Sequence, residues 1–120
     1  MARRDKFLSD VELEIMFFVW KKGCALTSIE ILENLPRSWQ LSTLMTVLSR
    51  LERKQLLYCD RSTRTNMYSA LKNHDRYLAE MCIYIMDVHK IDSTTMLSAL
   101  YGEGVVSREE LLSVAGSASG

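Results

Sequence analysis

The stretch Ser42-Thr43-Leu44-Met45-Thr46-Val47-Leu48-Ser49-Arg50-Leu51-Glu52-Arg53-Lys54, with the two short runs behind it, decides how this chain folds. Leu44, Val47, Leu48 and Leu51 recur at i, i+3, i+4 and i+7, the inward face of a helix starting near Ser42. The other positions carry Ser42, Thr43, Met45, Thr46, Ser49, Arg50 and Arg53, all but the apolar Met45 hydroxyl-bearing or basic side chains expected to face outward. After Lys54 the period changes. Leu56-Leu57-Tyr58-Cys59-Asp60-Arg61 and Asn66-Met67-Tyr68-Ser69-Ala70 have strand character around the polar tip Ser62-Thr63-Arg64-Thr65, which predicts a hairpin with a loop of about four residues.

Upstream, two helices announce themselves by their starts. Ser9-Asp10-Val11-Glu12 is a capping box, in which the Ser9 hydroxyl accepts from the Glu12 amide and the Glu12 carboxylate accepts from that of Ser9. Leu13, Met16, Phe17 and Trp20 then mark one face, widened by Ile15, Phe18 and Val19. Lys21-Lys22 suit a last turn, and Gly23 suits a left-handed cap. Thr27-Ser28-Ile29-Glu30 is a second capping box, opening a short helix with Ile29, Leu32 and Leu35 apolar. Pro36 ends it and opens the loop to Trp39. Helix, helix, helix, hairpin is the order of a winged helix-turn-helix, so the expected fold is mainly α with a small β-hairpin wing (α+β), over residues 7–72.

Residues 73–115 form an expected helical region of a different kind. From Asp75 to Lys90 the apolar positions Leu78, Met81, Cys82, Ile85, Met86 and Val88 cover a broad face. A short helix is expected over Thr94–Tyr101, broken by Gly102 and Gly104. A third capping box, Ser107-Arg108-Glu109-Glu110, opens a last helix through about Val114, and residues 116–120 are expected to fray. A helix face that wide exposes more apolar surface than a soluble monomer tolerates, and pairing of two copies covers it. Folding back onto the winged domain is the alternative.

The 120 residues are 48% hydrophobic and 25% charged, a globular mix that argues against disorder. No apolar run approaches the roughly 18 residues of a membrane span, which excludes a membrane partner by helix insertion. The start MARRDKFLSD is basic but lacks an apolar core, so no secretory signal is expected and the expected compartment is the cytoplasm. Cys24, Cys59 and Cys82 are odd in number and form no CxxC or CxC, so neither a disulfide framework nor a zinc cluster is expected. Lys+Arg and Asp+Glu both number 15. They are unevenly spread: residues 1–76 hold 13 basic and 9 acidic groups, residues 77–120 hold 2 and 6. A basic module joined to an acidic segment is the result.

The chemistry follows from that geometry. The second helix of a helix-turn-helix enters a groove about 12 Å wide and shows its outer side chains to base edges. Ser42, Thr43, Met45, Thr46 and Ser49 suit base edges; Arg50, Arg53, Arg61 and Arg64 suit phosphates, which position a protein without reading sequence. For Arg50 an ion pair with Glu52 or Glu14 is an equal alternative. The partner expected is a double-stranded DNA operator, bound by a homodimer. Two other readings stay open: a winged-helix module that docks a protein instead of DNA, and a Cu(I) regulator using Cys82, Met86 and His89 at i, i+4 and i+7. Core packing is the ordinary role of such a thiol–thioether stripe, so neither metal nor cofactor is expected. With His74 and His89 the only histidines, and no phosphate loop, HExxH or GxSxG, an enzyme is not expected.

Leu8-Ser9-Asp10-Val11-Glu12-Leu13-Glu14-Ile15-Met16 and Val19-Trp20, together with Thr43–Lys54 and the Tyr58–Ser69 hairpin, resemble the BlaI/MecI/CopY group of bacterial repressors. These are the penicillinase, methicillin-resistance and copper-transport repressors. The resemblance spans roughly residues 8–114 and implies a dimeric winged-helix repressor on a promoter operator, released by an inducer or by a sensor protease. This chain departs from the group in four places. Ala99-Leu100 stands where the β-lactam branch is cut at Asn-Phe, and the paired CxC motifs of the copper branch are missing. Lys54-Gln55 replaces the usual Lys-Gly, and Met45 replaces a residue that is often basic or aromatic.

Overall fold

The computed structural model describes residues 7–119. Met1–Lys6, including the basic start, and Gly120 of the expected tail lie outside the described residues. The elements run α1 (Asp10–Lys22), α2 (Ser28–Glu33), α3 (Leu41–Arg53), β1 (Leu57–Asp60), β2 (Met67–Ala70), α4 (His74–His89), α5 (Ser93–Gly102) and α6 (Arg108–Ser119). One compact unit ends at Met81 and a second begins at Cys82, the boundary falling inside α4.

In the first unit local signals set the helix ends. Ser9 Oγ accepts from the Glu12 amide at 3.3 Å, and the Glu12 carboxylate accepts from the Ser9 amide at 2.8 Å. Thr27 and Glu30 repeat the arrangement at the start of α2. Gly23 closes α1 at φ +66°, a backbone geometry glycine adopts without strain. Helix α3 starts at Leu41 without a side-chain cap from Gln40 and ends by turning through Gln55 at φ +63°.

The inward face of α3 matches its period, with Leu44, Val47, Leu48 and Leu51 all buried. At about 1.5–3 kcal/mol for each side chain removed from water, these four anchor the helix in the core. Helix α1 differs from expectation. Its buried stripe is Glu12, Ile15, Met16 and Val19, one position away from the expected Phe17 face, and Phe17 is half exposed. Nearly every residue from Leu13 to Trp20 is apolar, so period alone leaves the facing direction open. On α2 the fully buried residue is Ile31, whereas Ile29 is exposed. Leu35 is buried and Leu32 half-buried, as the spacing implies, so the departure is confined to Ile29, whose place in the core Ile31 takes.

Strands β1 and β2 pair antiparallel with Tyr58 opposite Ser69 and Asp60 opposite Met67. Their connection is therefore residues 61–66, two residues longer than expected. Leu26 adds a bridge to Tyr68, with backbone bonds of 2.8 and 2.7 Å, tying the α1–α2 connection to the hairpin. Tyr68 and Cys59 lie buried beneath the hairpin. Burial first, and then the neighbouring Cys59 thiol, push the Tyr68 phenol up to about 12. At the start of α4, His74 stacks on Trp20 with ring centroids 4.3 Å apart, the indole N–H donates to the Lys72 carbonyl at 2.8 Å, and Tyr77 Oη accepts from the Leu8 amide at 2.9 Å.

The second unit comprises the rest of α4, α5 and α6. Asp92 caps α5, and Ser107 with Glu110 forms the capping box of α6. Helix α6 continues to Ser119, past the expected end near Val114. No residue from Cys82 to Ser117 is buried. This unit has helices but no core of its own.

Candidate nucleic-acid interface

Helix α3 separates two chemistries cleanly. Behind it lie the four buried aliphatic side chains; in front, Ser42, Thr43, Thr46, Ser49, Arg50 and Arg53 are all exposed. Met45 is the exception, half-buried and packed against the core, so only part of its side chain reaches the surface. Thr46 Oγ1 donates to the Ser42 carbonyl one turn back at 3.2 Å. Its hydroxyl proton is thereby used within the helix, and the side chain offers a methyl group and oxygen lone pairs outward.

The basic residues differ in how firmly they are held. Arg61 Nη2 donates to Glu52 at 3.0 Å, a bond that joins the start of the hairpin loop to the end of α3 and raises the Arg61 pKa. Arg50 Nε lies 4.0 Å from the Glu12 carboxylate, a loose contact, so neither Glu52 nor Glu14 is its partner. Glu14 is instead gripped by Arg37 through two bonds of 2.7 Å, and Arg37 also lies over the Trp39 ring. That clamp pins the loop leading into α3. Among the described residues, Arg53 and Arg64 have no acidic partner. The loop bearing Arg64 is shaped by its own side chains. Asp60 accepts from the Ser62 hydroxyl and amide, which hold its carboxyl below the usual range, and Thr63 Oγ1 donates to the Thr65 carbonyl at 2.7 Å.

Sequence reasoning missed the group that orients α3 from behind. Glu12 is 2% exposed, and its Oε1 accepts from Lys54 Nζ at 2.7 Å. Lys54 Nζ also reaches the Phe7 carbonyl at 3.2 Å. The capping box had singled out Glu12, but no local signal couples it to Lys54, 42 positions later.

The α4 residues expected at an interface are spread across the unit boundary. Leu78, Cys82, Ile85 and Val88 are exposed and Met86 is half-buried, whereas Met81 packs partly against the core of its own first unit. Among the described residues, no group of three or more His, Cys, Asp or Glu side chains is placed to hold a metal ion. No helix of the described residues is long and apolar enough to cross a membrane.

A three-helix unit with a paired hairpin, an outward polar helix and a basic loop beside it defines a winged helix-turn-helix regulator. The chain belongs to the penicillinase repressor family, whose family model matches residues 8–115. That family consists of transcriptional repressors, not enzymes. Among solved structures, a mutant of MepR from a multidrug resistant S. aureus clinical isolate is similar at 21% identity, covering 97% of this chain and 78% of that one, with a TM-score of 0.50. AF1382 from Archaeoglobus fulgidus is similar at 17% identity, covering 76% of this chain and 100% of that one, with a TM-score of 0.48. The comparison with curated proteins gives no match.

Proposed function

We propose that this repressor binds a palindromic duplex operator in the cytoplasm as a homodimer, laying α3 of each copy in the major groove. The observation that carries the reading is the two-faced α3: buried aliphatic residues behind, and exposed hydroxyls of Ser42, Thr43, Thr46 and Ser49 in front. Those side chains, with the exposed part of Met45, meet base edges. Arg50, Arg53 and Arg64 meet phosphates, whereas Arg61, held by Glu52, fixes the hairpin against the helix. Pairing of two copies is supported by the second unit, whose Ile85 and Val88 are 40% and 55% exposed on α4 and which buries nothing by itself. A two-fold pair matches half-sites about one helical turn apart. The test is selection of bound duplexes from a random pool, with sedimentation of the protein alone. Two inverted half-sites and a dimer are the expected results. Enrichment of no sequence, or a monomer at micromolar concentration, contradicts the proposal.

A further inference from the structure

Helix α3 carries one acidic residue, Glu52, and its place there is unfavourable twice over. It lies in the last turn, where the helix dipole disfavours a carboxylate, and beside a surface assigned to phosphates, which repel it. The acid at the end of β1, Asp60, serves its own loop, accepting from the Ser62 hydroxyl and amide. Glu52 instead reaches out of its helix and accepts from Arg61 Nη2 at 3.0 Å, nine positions along the chain.

The two partners are unequally sheltered. The Glu52 side chain is 23% exposed and that of Arg61 is 59% exposed, so the carboxylate is largely covered while the guanidinium keeps an edge in water. Arg50 touches an acid only loosely, and among the described residues Arg53 and Arg64 have no acidic partner. Of the four arginines on this surface, Arg61 is therefore the one that a carboxylate holds at hydrogen-bond distance. Held in that way, it neutralises a phosphate only by giving up Glu52. The same bond keeps the start of the hairpin loop against the end of α3, so the helix and the loop carrying Arg64 hold one spacing.

We propose that Glu52 is a specificity-determining residue. By holding Arg61 it withholds a phosphate contact that every sequence offers, and it keeps α3 and the wing in the spacing an operator requires. The inference rests on the duplex binding proposed above. Freed from Glu52, Arg61 adds a backbone contact and tightens binding to any duplex. Loss of the fixed spacing weakens the operator complex alone, because base reading needs α3 and the wing in register and binding to unrelated sequence does not. On the operator the two effects oppose each other; elsewhere only the gain remains, and discrimination falls.

The test is a salt series of fluorescence-anisotropy titrations with the full chain, on an operator duplex selected from a random pool and a scrambled duplex of the same composition. An ion pair this exposed contributes little to folding, so the variants are expected to fold as the wild type does. Glu52→Gln is expected to bind the scrambled duplex about threefold tighter or more, with a slope of log affinity against log salt steeper by about 1. Its gain on the operator is expected to be smaller, so the ratio of the two affinities falls. Arg61→Gln is expected to keep the wild-type slope on the scrambled duplex, and adding Glu52→Gln to it is expected to give no further gain. Unchanged scrambled binding by Glu52→Gln, the same gain in the Arg61→Gln background, or equal gains on both duplexes overturns the inference and leaves the proposed function standing. A wild-type chain that binds neither duplex overturns both.

Discussion

Glu12 and Lys54, from the first turn of α1 and the cap of α3, form an ion pair of 2.7 Å whose carboxylate is almost wholly removed from water. Glu12 is the buried charged residue among the described residues, and the pair fixes the end of the helix assigned to DNA against the first helix. A buried carboxylate stripped of its partner is costly, whereas removing both charges together is often close to neutral. Lys54→Met is therefore expected to destabilise the protein by about 2–4 kcal/mol, less than a fully buried pair because Lys54 keeps some exposure. Adding Glu12→Gln to it is expected to restore most of that loss. Urea unfolding of the two single variants and the double variant measures the coupling. Simple additivity contradicts the role given to the pair.

Acid lability follows from the same group and its relatives. Burial raises the Glu12 pKa, but the Lys54 hydrogen bond, the Ser9 amide and the Lys54 charge outweigh it, leaving the carboxyl below its ordinary 4.5. Arg37 lowers that of Glu14, and Lys72, with Arg76, that of Glu80. A depressed folded value means these carboxylates contribute stability above about pH 4.5, lost as pH falls through their folded values. The urea midpoint is expected to change little between pH 7 and 5 on their account and to drop below pH 4.5. In Glu12→Gln the drop is expected to be shallower. A wild-type midpoint that stays constant to pH 3 contradicts this.

Gln55 turns the chain from α3 into β1 at φ +63°, a region where a Cβ costs about 1 kcal/mol. Gln55→Gly is expected to stabilise the first unit by about 0.5–1 kcal/mol and raise Tm by roughly 2–5 °C, with the structure unchanged. A lower Tm in a calorimetric scan contradicts the strain assigned to this turn.

Thr46 and Arg64 are expected to fail in different ways. Thr46→Val keeps the outward methyl and gives up a hydroxyl proton already donated to Ser42, so it is expected to retain most operator affinity. Thr46→Ala removes the methyl and is expected to alter the preferred base at its position. Arg64→Ala is expected to weaken all duplexes alike and to reduce the slope of log affinity against log salt by about 1. Titrations of matched and scrambled duplexes over a salt series separate the two. Lost specificity with an unchanged slope in Arg64→Ala contradicts the assignment.

The elements were legible in the sequence where the signal was local. The Ser9, Thr27 and Ser107 capping boxes and the inward face of α3 all stand where short-range spacing places them. What escaped is long-range or ambiguous. The run Leu13–Trp20 is apolar nearly all round, so the side of α1 that faces inward is set by tertiary contacts, among them the Glu12–Lys54 pair, the Arg37–Glu14 clamp and the Trp20 indole on Lys72. The bridge from Leu26 to Tyr68, the stacking of His74 on Trp20 and the capture of Arg61 by Glu52 join segments that carry no shared sequence mark. At the candidate interface the exposed hydroxyls could be read from periodicity. Which arginines stay free of carboxylates could not.

The central claim is that the outer face of α3 and the tip of the hairpin lie against duplex DNA. Amide chemical-shift mapping of the full-length protein, titrated with a duplex selected from the random pool, tests it most directly. The largest shifts are expected at residues 42–53 and 61–65, saturating at one duplex per two chains. Saturation at one duplex per chain, or shifts that leave Ser42–Ser49 and Arg64 untouched, would contradict it.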